Sequence, residues 1–338
     1  MYTMFSIFIF VAILFTYIHV QSQWKTSDDL EIYEADYQSA KQLQEIVAVK
    51  QPVLFQIADP DAQRFCDRFQ LQKMQKYDNV DVHVKEVADY YAASDDAAVD
   101  YVSLPLRSAY TLLSSDQKAK YFSENNGVFV EESGLDTVMQ PMDAFLKPAL
   151  TAYTKYDLLF GSAHAYTPLR YHTVSQQYFV VASGKIRVKM CPPKYRKVLP
   201  LVKDYENYEF RTSMNVFDGK RIDSVKFLDF EVHAGSTLFV PPYWWYAIQF
   251  SAETTVAGFA YDQVMNIAAQ SNHWVLFYLQ QANITTRFSN RVIAMEEDDD
   301  DDREAFQPTI PESNRPKEIV TNAGTYVVSG SNAESIQE

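Results

Sequence analysis

Two short stretches hold most of the side chains that could do chemistry: TPLRYH over Thr167–His172 and PPYWWY over Pro241–Tyr246. Arg170 offers a planar, permanently protonated fork that suits carboxylates and phosphates, but it has no lone pair for a metal. His172 offers imidazole nitrogen, Thr167 a hydroxyl, and Tyr246 a phenol that stays neutral at pH 7 unless something lowers its pKa from about 10. One histidine does not hold a metal alone. His164 and His233 would have to join His172, and the spacing of the three follows no ligand pattern, so they read as polar loop residues. The chain has no GxSxG elbow, no phosphate-binding P-loop and no HExxH. Cys66 and Cys191 are too few for a zinc site or a disulfide framework and read as buried thiols, with a single bridge between them left open.

The elements that must position these residues are mainly β. Tyr156–Phe160, Gln177–Ala182, Lys185–Met190, Phe227–Val232, Leu238–Val240 and Trp245–Phe250 are short apolar runs broken by Gly, Pro or polar turns, the pattern of a sandwich or barrel. In KIRVKM, Ile186, Val188 and Met190 share one face, and Lys185, Arg187 and Lys189 share the other. Ahead of this core, Leu43, Ile46 and Val47 recur at helical spacing and Val53–Ile57 reads as a buried strand. Phe65–Lys76 reads as helix, Val80–Val84 as a short strand and Val87–Asp100 as a solvated helix or loop. After the core, Val264–Gln281 reads as a helix packed on the sheet, within a C-terminal helical region of about 263–282.

Composition narrows the classes. Of 338 residues, 47% are apolar and 14% aromatic, enough to fold around a large core. The net charge of −14 argues against a phosphate-binding surface, so no nucleic-acid partner is expected. Half of that charge lies in the single run Glu296–Asp302. Met4–Val20 is an uncharged apolar segment on the border between a membrane anchor and a cleaved signal, with a buried helix as the third reading. The expected organisation is an anchor or signal over 1–22, a linker over 23–36, one folded domain over 37–289 with its β core at about 153–260, and an acidic, disordered tail over 290–338. Localisation follows: single-pass at a membrane, or secreted or luminal if the segment is cleaved. Asn283-Ile284-Thr285 is a glycosylation acceptor in an exported chain.

Gly161-Ser162 to Thr167-Pro168-Leu169, then QQYFVVASGKIRVKMCPP, and finally EVHAGSTLFVPPYWWYAIQF over Glu231–Phe250 resemble the jumonji-C-type, cupin-like 2-oxoglutarate oxygenases. The resemblance covers about Tyr156–Phe250. It implies a double-stranded β-helix, or jelly-roll barrel, with flanking helices and a pocket between two sheets. Members of that family hold Fe(II) with two histidines and a carboxylate and bind 2-oxoglutarate beside it. In this chain the first histidine position is Arg170, the carboxylate position His172 and the second histidine position Tyr246. The lysine that pairs with the co-substrate falls on Ile186, unless a local bulge turns Lys185 inward. Thr167 matches a hydroxyl that contacts co-substrate in some members, or else caps a turn.

No cofactor is expected under this alignment, and the leading expectation is a membrane-anchored, catalytically inactive domain that binds a protein partner or serves structurally. The alternatives are a Fe(II)/2-oxoglutarate protein hydroxylase with a rearranged centre, and a binder of small anions that uses Arg170 in the vacated pocket. A buried Arg170 needs a counter-charge. Asp229 and Glu231, on a neighbouring predicted strand, are the expected partners, with a pocket anion or exposure at the rim as the other solutions.

Overall fold

The computed structural model describes residues 2–37, 39–70, 73–92, 98–218, 224–283, 318–321 and 324–327. It is a mixed α/β fold dominated by two large sheets, and it falls into two units, Met1–Gln281 and Ala282–Glu338. The first unit opens with α1 (Tyr2–Gln23), apolar on every side and exposed along most of its length. Its Met4–Gln23 portion is long and apolar enough to cross a bilayer or to act as a signal segment.

The segment 23–36, expected as a linker, is instead drawn into the fold. β1 (Tyr33–Asp36) pairs in parallel with β2 (Val53–Gln56), because an extended chain beside an open sheet edge satisfies its amides there. Between them lies α2 (Ala40–Val47), whose N-cap Ser39 accepts the Gln42 N–H. α3 (Pro60–Arg68) begins with proline after the Asp59 cap, as its missing N–H allows, and it ends earlier than the expected Lys76. β3 (Asp81–Glu86), β4 (Val102–Pro105), α4 (Leu106–Ser115), β5 (Tyr121–Ser123), α5 (Gly127–Glu132) and α6 (Asp136–Leu146) lead into the β core.

The core consists of β6 (Thr151–Gly161), β7 (Arg170–Tyr171), β8 (Gln176–Ser183), β9 (Lys185–Cys191), β10 (Leu201–Asp204), β11 (Glu209–Thr212), β12 (Leu228–His233), β13 (Ser236–Val240), β14 (Trp245–Phe250) and β15 (Thr255–Gln263). α7 (Val264–Ala269) follows, and after Gln270 a further helix, α8, covers 271–283. The nine-stranded sheet runs β1-β2-β13-β8-β15-β6-β5-β3-β4 and the six-stranded sheet β10-β11-β7-β14-β9-β12. Apart from β1 on β2, the strand pairs within these two sheets are antiparallel. Among the described strands none belongs to both sheets, so they form two packed layers without a closed barrel.

Side-chain alternation explains the layering. On β8, Phe179 and Val181 meet the six-stranded sheet, while Tyr178, Val180 and Ala182 face the helices. From the opposite sheet Ile186, Val188, Met190, Ile248 and Phe250 fill the space between the layers. Helices α2, α3, α4, α5 and α6 cover the other face of the nine-stranded sheet with Leu43, Phe65, Leu113, Phe129 and Met142 among others. A third cluster, including Tyr171, Phe210 and Trp245, covers the outer face of the six-stranded sheet. Gly184 turns β8 into β9 at φ 68°, where a Cβ would lie 2.5 Å from Thr254 Oγ1.

Cys66 and Cys191 are both free thiols, the first part-buried and the second buried. Of the tail, the structure describes one hairpin, β16 (Glu318–Thr321) with β17 (Gly324–Val327), where the sequence reading expected no order. The acidic run 296–302 lies outside the described residues, as do 284 and 285 of the glycosylation acceptor; Asn283 is exposed at the end of α8.

Candidate functional site

Four sequence-nominated side chains meet between the sheets. Arg170 and Tyr246 are register partners on β7 and β14, with the guanidinium carbon 5.7 Å from the Tyr246 ring centre. His172, two residues beyond Arg170, meets the same ring edge-on at 5.9 Å. Phe179 of the facing sheet closes on Tyr246 at 5.6 Å. Ile186 is fully buried in this layer, whereas Lys185 is about half exposed, so strand alternation holds without a bulge at that point.

Arg170 is not paired as expected. Phe230 and Val232 on β12 pack toward the layer between the sheets, which sends Asp229 and Glu231 to the outer face. There Glu231 bonds Lys185 at 2.9 Å and Asp229 bonds Arg187 at 2.7 Å, an exposed cross-strand ladder. The partners of Arg170 are Glu124 and Glu209. Its Nη1 donates to Glu124 Oε1 at 2.7 Å and to Glu209 Oε1 at 2.9 Å, and its Nη2 donates to Glu124 Oε2. Glu124 thus receives a bidentate fork, the strongest common form of such a pair.

The pair belongs to a larger network. Lys85 Nζ, fully buried on β3, donates to Glu124 Oε1 and to the Tyr90 hydroxyl, each at 3.1 Å. Arg211 lies 3.4 Å from Asp204 and 4.0 Å from Glu209. Three cations, Lys85, Arg170 and Arg211, therefore face three carboxylates, Glu124, Glu209 and Asp204. This neutrality is what makes burial tolerable, since an isolated charge here would cost several kcal/mol.

Burial alone would raise the Glu124 carboxyl, but Arg170 and then Lys85 overcome it and hold the group well below the usual carboxylate range. Burial would likewise lower Lys85, and Glu124 foremost pushes it above its ordinary value. Arg170 stays protonated for the same reason. Burial raises the Tyr246 phenol, so it is neutral. His172 goes the other way: burial, with Arg170's charge adding, lowers it to about 4. Its Nε2 lies 3.1 Å from the Val240 carbonyl and its Nδ1 is shut away from solvent, so the neutral ring donates through Nε2.

Local structure sets the Glu124 loop with care. Asp157 accepts the backbone N–H groups of Asn125 at 3.0 Å and Asn126 at 2.6 Å. Asn126 Nδ2 donates to Ser123 Oγ and to the Leu158 carbonyl, while its Oδ1 accepts the His83 N–H. Asn125 adopts φ 60°, a left-handed conformation that asparagine tolerates. The loop after β5 is thereby clamped to β6 with its carboxylate aimed at Arg170.

Thr167 is buried and tied to β14: its Oγ1 accepts the Ile248 N–H at 3.0 Å, and its own N–H donates to the Ile248 carbonyl at 2.8 Å. His164 and His233 are exposed, and among the described residues no three His, Cys, Asp or Glu side chains form a group able to hold a metal ion. The donor set at Arg170, His172 and Tyr246 does not suit iron: one member has no lone pair, one is a neutral phenol, and the third bonds a backbone carbonyl. A separate cavity of about 430 Å³, lined by Tyr110, Gln117, Phe160, His164 and Glu253 among others, includes none of the five nominated residues.

Sequence reasoning missed Glu124, Glu209, Lys85 and Arg211. The run EFRT did contain a signal, because alternation sets Glu209 and Arg211 on the face opposite Phe210, the inner face that Arg170 shares. Glu124 sits in a loop and had none. No family model and no curated protein matches this chain.

Proposed function

We propose that the chain is a membrane-anchored, cupin-like domain of the jumonji-C type that has lost its catalytic centre and acts as a binding or structural module. The observation that carries this reading is the replacement of the three ligand types by a charge-neutral ion network in which both terminal nitrogens of the arginine are engaged by two glutamates. The two packed sheets, with β7, β9 and β14 in one and β8, β13 and β15 in the other, agree with a double-stranded β-helix. Ile186, where a co-substrate lysine would stand in that family, packs as core. α1 supplies the anchor in this reading, because its apolar surface is left uncovered by the domain.

The anion-binding alternative draws less support, since both terminal nitrogens of Arg170 are engaged by carboxylates. The rearranged hydroxylase draws less still, because Glu124 and Glu209 are held by cations instead of converging with His172.

The test uses the full chain purified in detergent. Anaerobic loading with Fe(II) or Mn(II), desalting and metal analysis should leave no stoichiometric metal, and 2-oxoglutarate should not be converted to succinate above a metal-free blank. Stoichiometric retention together with turnover overturns the proposal. Thermal shifts with phosphate and dicarboxylates, wild type beside Arg170→Ala, separate the anion reading: stabilisation of the wild type alone would favour it.

A further inference from the structure

We propose that α8 and the rim around the C-terminal end of α1 make a second contact with the lipid bilayer, so that the domain lies on the membrane surface instead of hanging from a tether. This rests on the reading of α1 as an anchor. The end of α1 is built into the domain. Lys50 Nζ donates to the carbonyls of Ser22 at 2.8 Å and Gln23 at 3.3 Å, neutralising the negative end of the helix. Thr26 Oγ1 and the Ser27 N–H both donate to the Lys50 carbonyl, at 2.8 and 3.2 Å. Trp244 Nε1 donates to the Ser27 carbonyl at 3.0 Å, and Lys194 Nζ to that of Asp28 at 2.9 Å. With Met4–Gln23 in hydrocarbon, residues bonded to Ser22 and Gln23 must sit at headgroup depth.

The surface around that point mixes exposed apolar side chains with the charges of Lys25, Asp28 and Asp29. Trp24, Val49 beside Lys50, and Val264 are each about half exposed or more. Val264 opens α7, which packs against α1, and its N–H donates to the carbonyl of Leu150, an 82% exposed leucine. α7 leads through Gln270 into α8, which has two faces. His273, Trp274, Phe277 and Gln281 pin one face to the 205–208 turn: Trp274 stacks on Tyr208 at 5.0 Å, and Gln281 donates to the Glu206 carbonyl at 2.8 Å. The other face exposes Val275, Leu276, Tyr278 and Leu279, with Val275 and Leu279 one turn apart.

Charge chooses the occupant. Between Val264 and Gln281 there is no Asp, Glu, Lys or Arg, in a chain whose charged content is 22%. The exposed stripe of Val275, Leu276, Tyr278 and Leu279 carries no charge and follows α7, which packs against α1, a position and composition that suit the interfacial zone of a bilayer. α8 is too short to span, so it would lie in the plane. α8 itself carries no Lys or Arg, so its part of the contact should not depend on anionic lipid.

The full chain carrying Cys66→Ala and a single environment-sensitive fluorophore at Leu279→Cys, or in a second variant at Tyr278→Cys, is placed in phosphatidylcholine nanodiscs with and without a shallow nitroxide lipid. Val102→Cys, on β4 at the sheet edge opposite β1, serves as the exposed reference, and Ile13→Cys reports α1. The expected result is a blue shift and a loss of emission to the nitroxide at 278 and 279, unchanged by phosphatidylserine, with neither effect at 102. Emission at 278 and 279 matching that at 102 overturns the proposal. So does a blue shift without nitroxide quenching, which would mean that a second copy or another protein surface covers the helix. In either failure, quenching at Ile13 by a lipid bearing its nitroxide at the acyl-chain end shows that the anchor reading survives, and its absence shows that it falls too.

Discussion

Replacing Arg170 by methionine keeps most of the side-chain volume and removes one of three cations from a closed ion network. Glu124 then keeps only Lys85, at 3.1 Å, and Glu209 keeps only the more distant Arg211, at 4.0 Å. Three charge-assisted hydrogen bonds are lost. Their gross strength overstates the effect, because desolvation of the ions already offsets much of it; breaking a buried pair by removing one partner costs about 3–5 kcal/mol. The assay is urea unfolding of the detergent-solubilised chain, followed through the buried Trp244 and Trp245. The loss should be greatest near pH 8 and shrink toward pH 5, because burial raises the Glu124 carboxyl once Arg170 no longer holds it down. Adding Glu209→Gln restores neutrality and should recover roughly 1–3 kcal/mol. A single variant within about 1 kcal/mol of wild type, given the penalty expected for a stranded buried charge, or a deficit independent of pH, would refute the network as the reason Arg170 can be buried.

Three further outcomes follow from the same geometry. His172 has its folded pKa lowered from 6.5 to about 4, so the unfolded chain takes up its proton first; its contribution is present above pH 6.5 and lost as pH falls toward 4, by up to about 3 kcal/mol. His172→Gln should flatten that part of the stability profile, measured by unfolding at several pH values. Ile186→Lys places an ammonium between the sheets and should cost about 3–5 kcal/mol, while Lys185→Ala, on the exposed ladder, should leave the melting temperature unchanged. Gly184→Ala combines φ 68° with a Cβ 2.9 Å from the Thr254 Cα, and a loss of roughly 2–4 kcal/mol by thermal denaturation is expected.

The β core was legible because alternation is a local signal: KIRVKM sorts its own side chains, and the structure buries the apolar set. Ile186 could therefore be assigned to the layer between the sheets from its own strand, whereas Tyr246 was placed there by the resemblance. Arg170's partners could not, because pairing across sheets depends on which loops reach the interior. Glu124 lies 46 residues from Arg170 in sequence and owes its position to the Asp157 clamp, a contact between β5's loop and β6 that no periodicity announces. Asp229 and Glu231 were chosen by proximity of strands, and the facing rule applied to KIRVKM, extended to LDFEVH, would have sent them outward. The helices α4, α5 and α6 were missed as well; α5 is too short to show a period, and α6 carries Pro141 within it.

The seam between α1 and the domain bears on proteolytic maturation. The peptide bond after Ser22, just beyond the apolar segment that reads as an anchor or a cleaved signal, is one whose carbonyl accepts the Lys50 ammonium. Cutting there after folding would remove that acceptor and bring a fresh α-amino group on Gln23 close to the Lys50 ammonium, which would keep only the Gln23 carbonyl.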